Sequence, residues 1–309
     1  MGLISHLYIK NVVYRYDKEV GVPYYSYLDF KGLKQEAFTF KNNKGLEIHY
    51  FYYYYDNYLK DKVVVFLHGL AAGHAAYLAE IAALAKRGYK VLTLDFQGCG
   101  ESEGKYLGSV LNPTSDLMEL LDLLHLKEEI VLVGHSMGAF TALNVINLRK
   151  EIKKAVIISG FLSVDLAIKA VIKSKFVAKR LVKYERKMQP KYYQLDNIEY
   201  LKNTTDQLLF LHSKDDAVLN YDIGVGLVKT IDNPNIETWT FANRKHNPNY
   251  TDAAISYMND VFGSYYQLIR DKKIKTDAEK IAYFKDVSLE RLVEQDDAVF
   301  NNIKEFIEK

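Results

Sequence analysis

The stretch VLVGHSMGAF, residues 131–140, decides how the chain folds. It completes an apolar run, EIVLV, and starts a segment with helical periodicity, so a serine between two glycines lies at a strand-to-helix junction. At average protein usage, with glycine and serine each about 7% of residues, a chain of this length contains a G-x-S-x-G match by chance about one time in ten. The motif therefore needs support from the rest of the sequence.

The segments around this stretch alternate between strand and helix patterns. Apolar runs KVVVFLHG, YKVLTLDF, EIVLVG and KKAVIISG are separated by helical patterns such as AAYLAEIAALAKRG and PTSDLMELLDLLHL. Such alternation predicts an α/β fold, with a mostly parallel central sheet and helices on both faces. Ahead of it, EAFTFKNNKGLEIHYFYYYY predicts two strands around an Asn-Lys-Gly turn, and we interpret its tyrosines as strand residues rather than a stacking site.

Composition excludes several classes of protein. The 309 residues are 49% hydrophobic and 26% charged with a net charge of +2, which gives no general attraction to nucleic acid. The single cysteine, Cys99, rules out an intramolecular disulfide and disfavours thiolate metal clusters. We find no leader pattern, no apolar run of membrane-spanning length and only a near match to a myristoylation signal. These features predict a soluble cytoplasmic protein without a metal, and they leave the oligomeric state open.

A serine at such a junction is a candidate nucleophile. A sharp strand-to-helix turn lifts the Ser136 hydroxyl clear of the sheet, and its crowded flanks require small residues such as Gly134 and Gly138. Because a serine hydroxyl is a weak nucleophile, it needs a histidine base and an acid that orients that base. In folds where the serine follows a middle strand, the chain order is serine, acid, histidine.

That order selects the remaining candidates. His246, in the loop FANRKHNPNY, is the only one of the eight histidines that follows the acid loop KDDAVLN. Asp215 and Asp216 both qualify as the acid, with one of them expected to cap a helix near Val218, and we favour Asp216 because it lies nearer the start of that helix. Backbone N–H groups of Leu70 and Met137 are the candidate oxyanion donors.

These residues resemble the α/β-hydrolase superfamily. The stretch from VVVFLHGLAAGH to GCGESEG, followed by VGHSMGA, LHSKDDAV and RKH, is most similar to its monoglyceride-lipase, lysophospholipase and serine-aminopeptidase-like group. The similarity covers about residues 36 to 250 and implies Ser136, Asp216 and His246 as the triad, with His68 and Gly69 marking the oxyanion loop. The sequence departs from the group's pattern at Gln97, Ala139 and Ser213, and Gln97 weakens any role inferred for the arginine usual at that place.

The resemblance also implies a division of the chain. We expect an N-terminal extension over 1–35, a hydrolase core over 36–160 and 207–262, a helical lid over 161–206, and a C-terminal helical extension over 263–309. GCGESEG fails the dinucleotide pattern G-x-G-x-x-G at Glu103, so no nucleotide cofactor is expected. Cys99 has no histidine in the order a thiol nucleophile would need, and we expect it to be inert.

The expected lid is strongly basic. Residues 161–191 contain nine basic and two acidic side chains, and the pattern predicts one long amphipathic helix from Lys169 to Lys187. Its apolar face would cover an acyl pocket, and we expect substrate contacts from Phe161, Val171, Val177 and Leu181, together with His68 and Gly69. An additional reading is peripheral contact with anionic lipid, based on the charge and on exposed Ile172 and Phe176.

The sequence therefore predicts a serine hydrolase that cleaves carboxylic esters, such as monoglycerides or lysophospholipids, through an acyl-enzyme. An amidase or aminopeptidase on the same triad is the alternative, because the triad does not distinguish esters from amides. The alternative of another class is a non-catalytic ligand-binding protein on the same fold. Acyl chain length and head group stay open.

Overall fold

The computed structural model describes residues 3–309 and contains one eight-stranded sheet. Its strand order is β1-β2-β4-β3-β5-β6-β7-β8, with β1 and β2 antiparallel to their neighbours and the other strands parallel. The strands are β1 (Lys34–Lys41), β2 (Glu47–Tyr54), β3 (Lys62–Leu67), β4 (Lys90–Leu94), β5 (Glu129–His135), β6 (Lys154–Ile158), β7 (Gln207–Ser213) and β8 (Ile236–Phe241). The mostly parallel sheet expected from the alternation is confirmed.

Helices cover both faces of the sheet, the connections between its strands and both ends of the chain. They are α1 (Leu3–Asn11), α2 (Leu78–Lys86), α3 (Asn112–Leu124), α4 (Met137–Leu148), α5 (Val164–Val171), α6 (Lys175–Met188), α7 (Pro190–Tyr193), α8 (Asn197–Asn203), α9 (Val225–Val228), α10 (Asp252–Arg270), α11 (Asp277–Phe284), α12 (Leu289–Leu292) and α13 (Asp297–Glu308). Over residues 3–309, none of these helices is both long enough and apolar enough to cross a membrane.

Strand β3 shows why the central strands are apolar throughout. Successive side chains of a strand point to opposite faces. Val63 and Val65 contribute to the core under α3 and α4, whereas Val64 and Phe66 contribute to the core under α2 and α13. Because both faces are covered, the sheet edge where the parallel strands end is left to carry the polar side chains of a site.

The N-terminal segment is attached to the core through Arg15. Its guanidinium donates to the carbonyls of Ser102, Gly104 and Gly100 at 2.8, 3.0 and 2.8 Å. Ahead of this anchor, α1 packs Tyr8 into the core shared with α3 and α4. The segment 3–16 is therefore a packed extension that reaches the loop at residues 100–104, after β4.

The C-terminal boundary expected between residues 262 and 263 falls inside a helix. Helix α10 runs unbroken through it and, with α11 and α12, encloses a separate small core around Tyr265 and Phe284. The last helix, α13, instead packs on the sheet beside α2, with Phe300 and Ile303 fully buried. The C-terminal residues thus include one element that completes the main core.

The insertion between β6 and β7 differs from the expected single long helix. It contains α5 and α6, separated at residues 172–174, followed by the shorter α7 and α8. Ile172 is the C-cap of the first helix, and Ser174 begins the second, because its side chain accepts the N–H of Val177 as an N-cap. The break changes the expected faces: Ile172 is half-buried and lines a cavity, whereas Phe176 is exposed.

A buried carboxyl group joins α6 to the N-terminal segment. Glu185 is fully buried, and its carboxyl accepts hydrogen bonds from the hydroxyls of Tyr8, at 2.8 Å, and of Ser109. Burial raises the pKa of Glu185 to about 7, which exceeds the lowering effect of both hydroxyl donors. Helices α1 and α6 and the loop before α3 therefore meet at Glu185, whose carboxyl group is uncharged in mildly acidic solution.

This contact predicts a pH-dependent stability. The folded-state pKa of Glu185 lies above its ordinary value of 4.5, so its stabilising contribution is complete below 4.5 and disappears as pH rises through about 7. The loss is on the order of 3 kcal/mol. We expect the difference in unfolding free energy between wild type and Glu185→Gln to move against wild type from about pH 5 to about pH 8.

Urea unfolding of both proteins across that range measures the difference. Burial also raises the pKa of Glu80 to about 7 and of Asp116 to about 6, but these groups titrate in both proteins and cancel. Parallel pH profiles for the two proteins would contradict the assignment.

Candidate active site

Ser136 lies on a tight turn between β5 and α4. Its backbone has φ 56° and ψ −118°, a conformation that residues other than glycine rarely adopt. A side chain at Gly138 would overlap the carbonyl of Leu67, and one at Gly134 would overlap the carbonyl of Gly138. The two glycines therefore allow α4 to cross directly over the sheet, and this crossing holds Ser136 in its strained position.

His246 and Asp216 form a hydrogen-bonded pair beside this turn. The Nδ1–H of His246 donates to Oδ2 of Asp216 at 2.7 Å. The Asp216 side chain is inaccessible to solvent, whereas 17% of the His246 side chain is exposed. The acceptor at Nδ1 assigns the proton to that nitrogen and leaves Nε2 free to accept a proton, as a general base requires.

A second histidine holds the same carboxylate. His212, in β7, is fully buried and donates from Nε2 to Oδ2 of Asp216 at 3.1 Å and to the carbonyl of Leu219 at 2.9 Å. Oδ1 of Asp216 accepts the backbone N–H groups of Val218 and Leu219 at 2.8 and 2.9 Å. Sequence order had set His212 aside as a base. Its role here is to position the acid.

These donors determine the charge of Asp216. Burial by itself raises the pKa of this carboxyl, but the hydrogen bonds from His212 and His246 outweigh burial and hold the pKa well below its usual value. The acid is therefore ionised at neutral pH. The helix expected near Val218 does not form, so neither aspartate caps one. One oxygen of Asp216 binds His246, and the other accepts backbone N–H groups of the turn that follows.

Asp215 points elsewhere. Its Oδ1 accepts the hydroxyl of Ser213 at 2.7 Å and the N–H of Lys245 at 3.0 Å, and its Oδ2 pairs with the Lys245 ammonium at 3.1 Å. It fixes the loop that carries His246 without touching the imidazole.

His135, the residue before Ser136, supports His246 from below. Its Nε2–H donates to the His246 carbonyl at 2.8 Å, and its Nδ1 accepts the Tyr77 hydroxyl at 2.9 Å. Burial lowers the pKa of His135 to about 3, so the imidazole is neutral at neutral pH. The sequence shows this histidine only as the variable residue inside G-x-S-x-G.

The structure also places the expected oxyanion donors. Leu70 and Met137 both border the cavity that contains Ser136. In the part of the chain that the structure describes, their backbone N–H groups are taken up by no hydrogen bond, so both are available to an incoming oxygen. Over residues 3–309 there is no hydrogen bond between Ser136 and His246. In structures without substrate, hydrogen bonds of this kind are often long and tighten only when the substrate binds.

Two of the expected substrate contacts, His68 and Gly69, lie outside the cavity lining. His68 is fully buried, donates from Nδ1 to the Gly69 carbonyl at 2.7 Å and accepts the N–H of Phe96 at 3.2 Å. A Cβ at Gly69 would come within 2.6 Å of the Tyr77 hydroxyl and 3.1 Å of the Ser136 Cβ, so the missing side chain is what lets the loop approach the serine.

Ser136 opens into a cavity of about 460 Å³ with an almost entirely apolar lining. The roof comes from α1, α5 and α6, and the floor from the residues around the serine. All four lid residues expected from the sequence line it: Phe161, Val171, Val177 and Leu181. Helix α1 adds Ile4, Leu7 and Tyr8, which lie outside the region of resemblance and were not expected.

Among residues 3–309, no group of three or more His, Cys, Asp or Glu side chains is arranged to hold a metal ion.

Comparisons with known proteins agree with this arrangement. Residues 59–207 match a family model described as Serine aminopeptidase, S33 (Hydrolase_4). An epoxide hydrolase from Caballeronia sordidicola is 35% identical over 96 residues, which span 30% of this chain and only 29% of that protein.

Solved structures share the fold over most of the chain. The Pyrococcus furiosus esterase Pf2001 has a TM-score of 0.57 and 21% identity, covering 85% of this chain and 96% of its own. Mouse α/β hydrolase domain-containing protein 10 has a TM-score of 0.53 and 15% identity, covering 76% and 99%. With this sheet topology and the turn at Ser136, the chain has the α/β-hydrolase fold.

The two neighbouring aspartates give a direct comparison. We expect Asp216→Asn to lower turnover of an activated p-nitrophenyl ester by about 10⁴, because an amide cannot fix the His246 tautomer as the carboxylate does. Asp215→Asn, which removes a charge of the same sign one residue away, should stay within about tenfold of wild type. Circular dichroism checks that both variants fold. Equal losses in the two variants would show that the acid is misassigned.

Proposed function

We propose that this protein is a serine hydrolase that cleaves carboxylic esters with apolar acyl groups. The observation that carries the proposal is the position of Ser136, which lines the apolar cavity and directly follows His135, whose ring donates to the carbonyl of His246 in the His246–Asp216 pair. In this reaction Ser136 attacks the ester carbonyl, its proton passes to Nε2 of His246, and water then hydrolyses the acyl-enzyme. The N–H groups of Leu70 and Met137 would stabilise the oxyanion.

The cavity lining supports an ester with an acyl chain over a peptide. An aminopeptidase must bind the ammonium of its substrate, and a carboxylate is the usual partner for a buried cation. The described residues that line this cavity include no aspartate or glutamate, and its polar groups are the hydroxyls of Tyr8 and Ser136. We therefore propose monoglyceride-like or lysophospholipid-like esters as the substrate class.

A chain-length series tests the proposal. We expect wild type to hydrolyse p-nitrophenyl esters, with kcat/KM rising from acetate towards medium chains as more apolar surface is buried. Ser136→Ala should lower turnover by about 10⁴–10⁶ with unchanged folding. Faster cleavage of an aminoacyl p-nitroanilide would favour the peptidase, and ester hydrolysis that survives in Ser136→Ala would contradict the proposal.

A second cavity lies behind the first. It has a volume of about 160 Å³ and shares Val164 with the main cavity. The rings of Phe140 and Phe161 stack between the two spaces, with centroids 4.3 Å apart and an interplanar angle of 24°. Phe161 lines the main cavity and Phe140 lines the second, so the stacked pair closes the end of the proposed acyl pocket.

Truncation of this wall predicts a change in chain-length preference. Phe161→Ala should join the two cavities and move the optimum to longer esters, with kcat/KM for the longest esters rising relative to butyrate by at least about tenfold. Val177→Ala, a truncation in the roof of the same cavity, is the matched control and should leave the optimum in place. An unchanged optimum in Phe161→Ala would show that the acyl chain leaves in another direction.

A further inference from the structure

The rim of the main cavity is unusually apolar for an exposed surface. Five residues that line the cavity also present large side chains to solvent, with exposed fractions from 36% to 61%: Leu7, Val12, Leu70, Val171 and Val218. Phe176, at the start of α6, is 62% exposed. Exposed apolar groups that surround a pocket mark a surface that contacts another apolar phase.

The same surface carries a concentrated positive charge. Nine basic residues lie between Lys169 and Lys191, and all of them are exposed. Within residues 3–309, only Lys169 among the nine forms a salt bridge, with Asp165 at 3.4 Å. The second acid of the segment, Glu185, is buried and faces Tyr8 and Ser109. Eight positive charges therefore face solvent without an ion pair.

The excess of positive charge is confined to residues 161–191. The whole chain has a net charge of +2, so the residues outside 161–191 are net negative. An anionic surface would attract the lid and repel the rest of the molecule, which orients the cavity mouth towards that surface.

Apolar and basic groups alternate at the α5–α6 break. Val171 and Phe176 bracket residues 172–175, which include Lys173 and Lys175, and the Arg180 guanidinium lies 5.1 Å from the centre of the Phe176 ring. A soluble polyanion would use the cations but leave Val171 and Phe176 in water. A neutral bilayer would bury the apolar residues but make no use of the cations. An anionic bilayer satisfies both, because headgroups meet the cations while the apolar tips reach the acyl boundary.

We propose that the α5–α6 surface and the rim of the cavity dock on an anionic phospholipid bilayer, with Val171 and Phe176 inserted at the headgroup level. In this orientation the cavity mouth opens onto the lipid, so an acyl ester can pass from the bilayer to Ser136. Docking itself depends only on the surface. The fate of the ester rests on the proposed function.

The electrostatic part is tested by co-sedimentation with vesicles. Every protein carries Ser136→Ala, so that no lipid is consumed. Vesicles of phosphatidylcholine alone are compared with vesicles in which one third of the lipid is phosphatidylglycerol. We expect binding to the anionic vesicles only, with affinity that falls as salt is raised.

The lysines of α6 provide the matched variants. Lys175→Gln, Lys179→Gln and Lys183→Gln together should weaken binding by about 100-fold, at about 1 kcal/mol for each charge removed. The control triple, Lys273→Gln, Lys275→Gln and Lys285→Gln, removes three exposed lysines from the segments on either side of α11 and should leave the affinity unchanged.

The apolar part has its own variants. Phe176→Ser should weaken binding to anionic vesicles by about tenfold or more, whereas Ile281→Ser, at a residue of similar exposure (55%) on α11, should not. Phe176→Trp adds a second tryptophan to Trp239, which is half-buried in β8, and its emission should shift to the blue on anionic vesicles.

Several results would overturn the proposal. They are equal or negligible binding to both kinds of vesicle, binding that survives the α6 triple, or a dimer in solution that dissociates on Phe176→Ser and assigns this surface to a second copy of the chain. Vesicle binding by the Ser136→Ala protein, with no ester hydrolysis by wild type, would reject the proposed function and leave the docking surface intact. Hydrolysis without vesicle binding would do the reverse.

Discussion

The close crossing of α4 over the sheet is the constraint on which the site depends. A Cβ at Gly138 would overlap the Leu67 carbonyl, so the helix can lie this near β3 only when that position has no side chain. The crossing forces Ser136 to φ 56°, and it leaves the N–H of Met137 at the open end of α4. Strain of this kind persists only where the surrounding packing determines the backbone, and here both glycines and two fully covered sheet faces provide that packing.

Each of the polar groups near Ser136 is held by more than one hydrogen bond. Asp216 receives two imidazole donors and two backbone donors, so its carboxylate is oriented before any substrate arrives. His246 is fixed at Nδ1 by that carboxylate and at its carbonyl by His135, which is itself fixed by Tyr77. Preorganised donors of this kind lower the cost of reorganisation during a reaction. In contrast, the roof of the cavity is made of separate helices, and two of them, α1 and α6, meet at Glu185.

How far the sequence predicts this structure depends on whether the information is local. Strand and helix periodicity predicts the mostly parallel sheet, and the order of residues along the chain selects His246 and Asp216, which the structure brings together. The break between α5 and α6 has a local signal in Ser174, which caps a helix well, but the continuous basic pattern of the lid concealed it. At this place the amphipathic pattern predicts a continuous helix, whereas Ser174 favours a helix start. The structure follows the capping preference of Ser174.

Other features have no signal in the sequence, and most of them depend on contacts between distant segments. His212 is only four residues from Asp216 and reaches it because the chain turns back after β7, but in the sequence it is one more residue of an apolar strand. His68 lies in the expected oxyanion loop, yet its ring is turned into the core against Phe96. Helix α1 contributes to the cavity although its sequence lacks a clear period, because Arg15 anchors the segment to the loop at 100–104.

The proposed function requires Ser136 to be a nucleophile that His246 activates. Peptide mapping by mass spectrometry after exposure to a fluorophosphonate detects such a nucleophile. We expect one adduct, on the peptide that contains Ser136, and a much slower reaction in His246→Ala. A folded wild-type protein that remains unlabelled, or an adduct on a different residue, would contradict it.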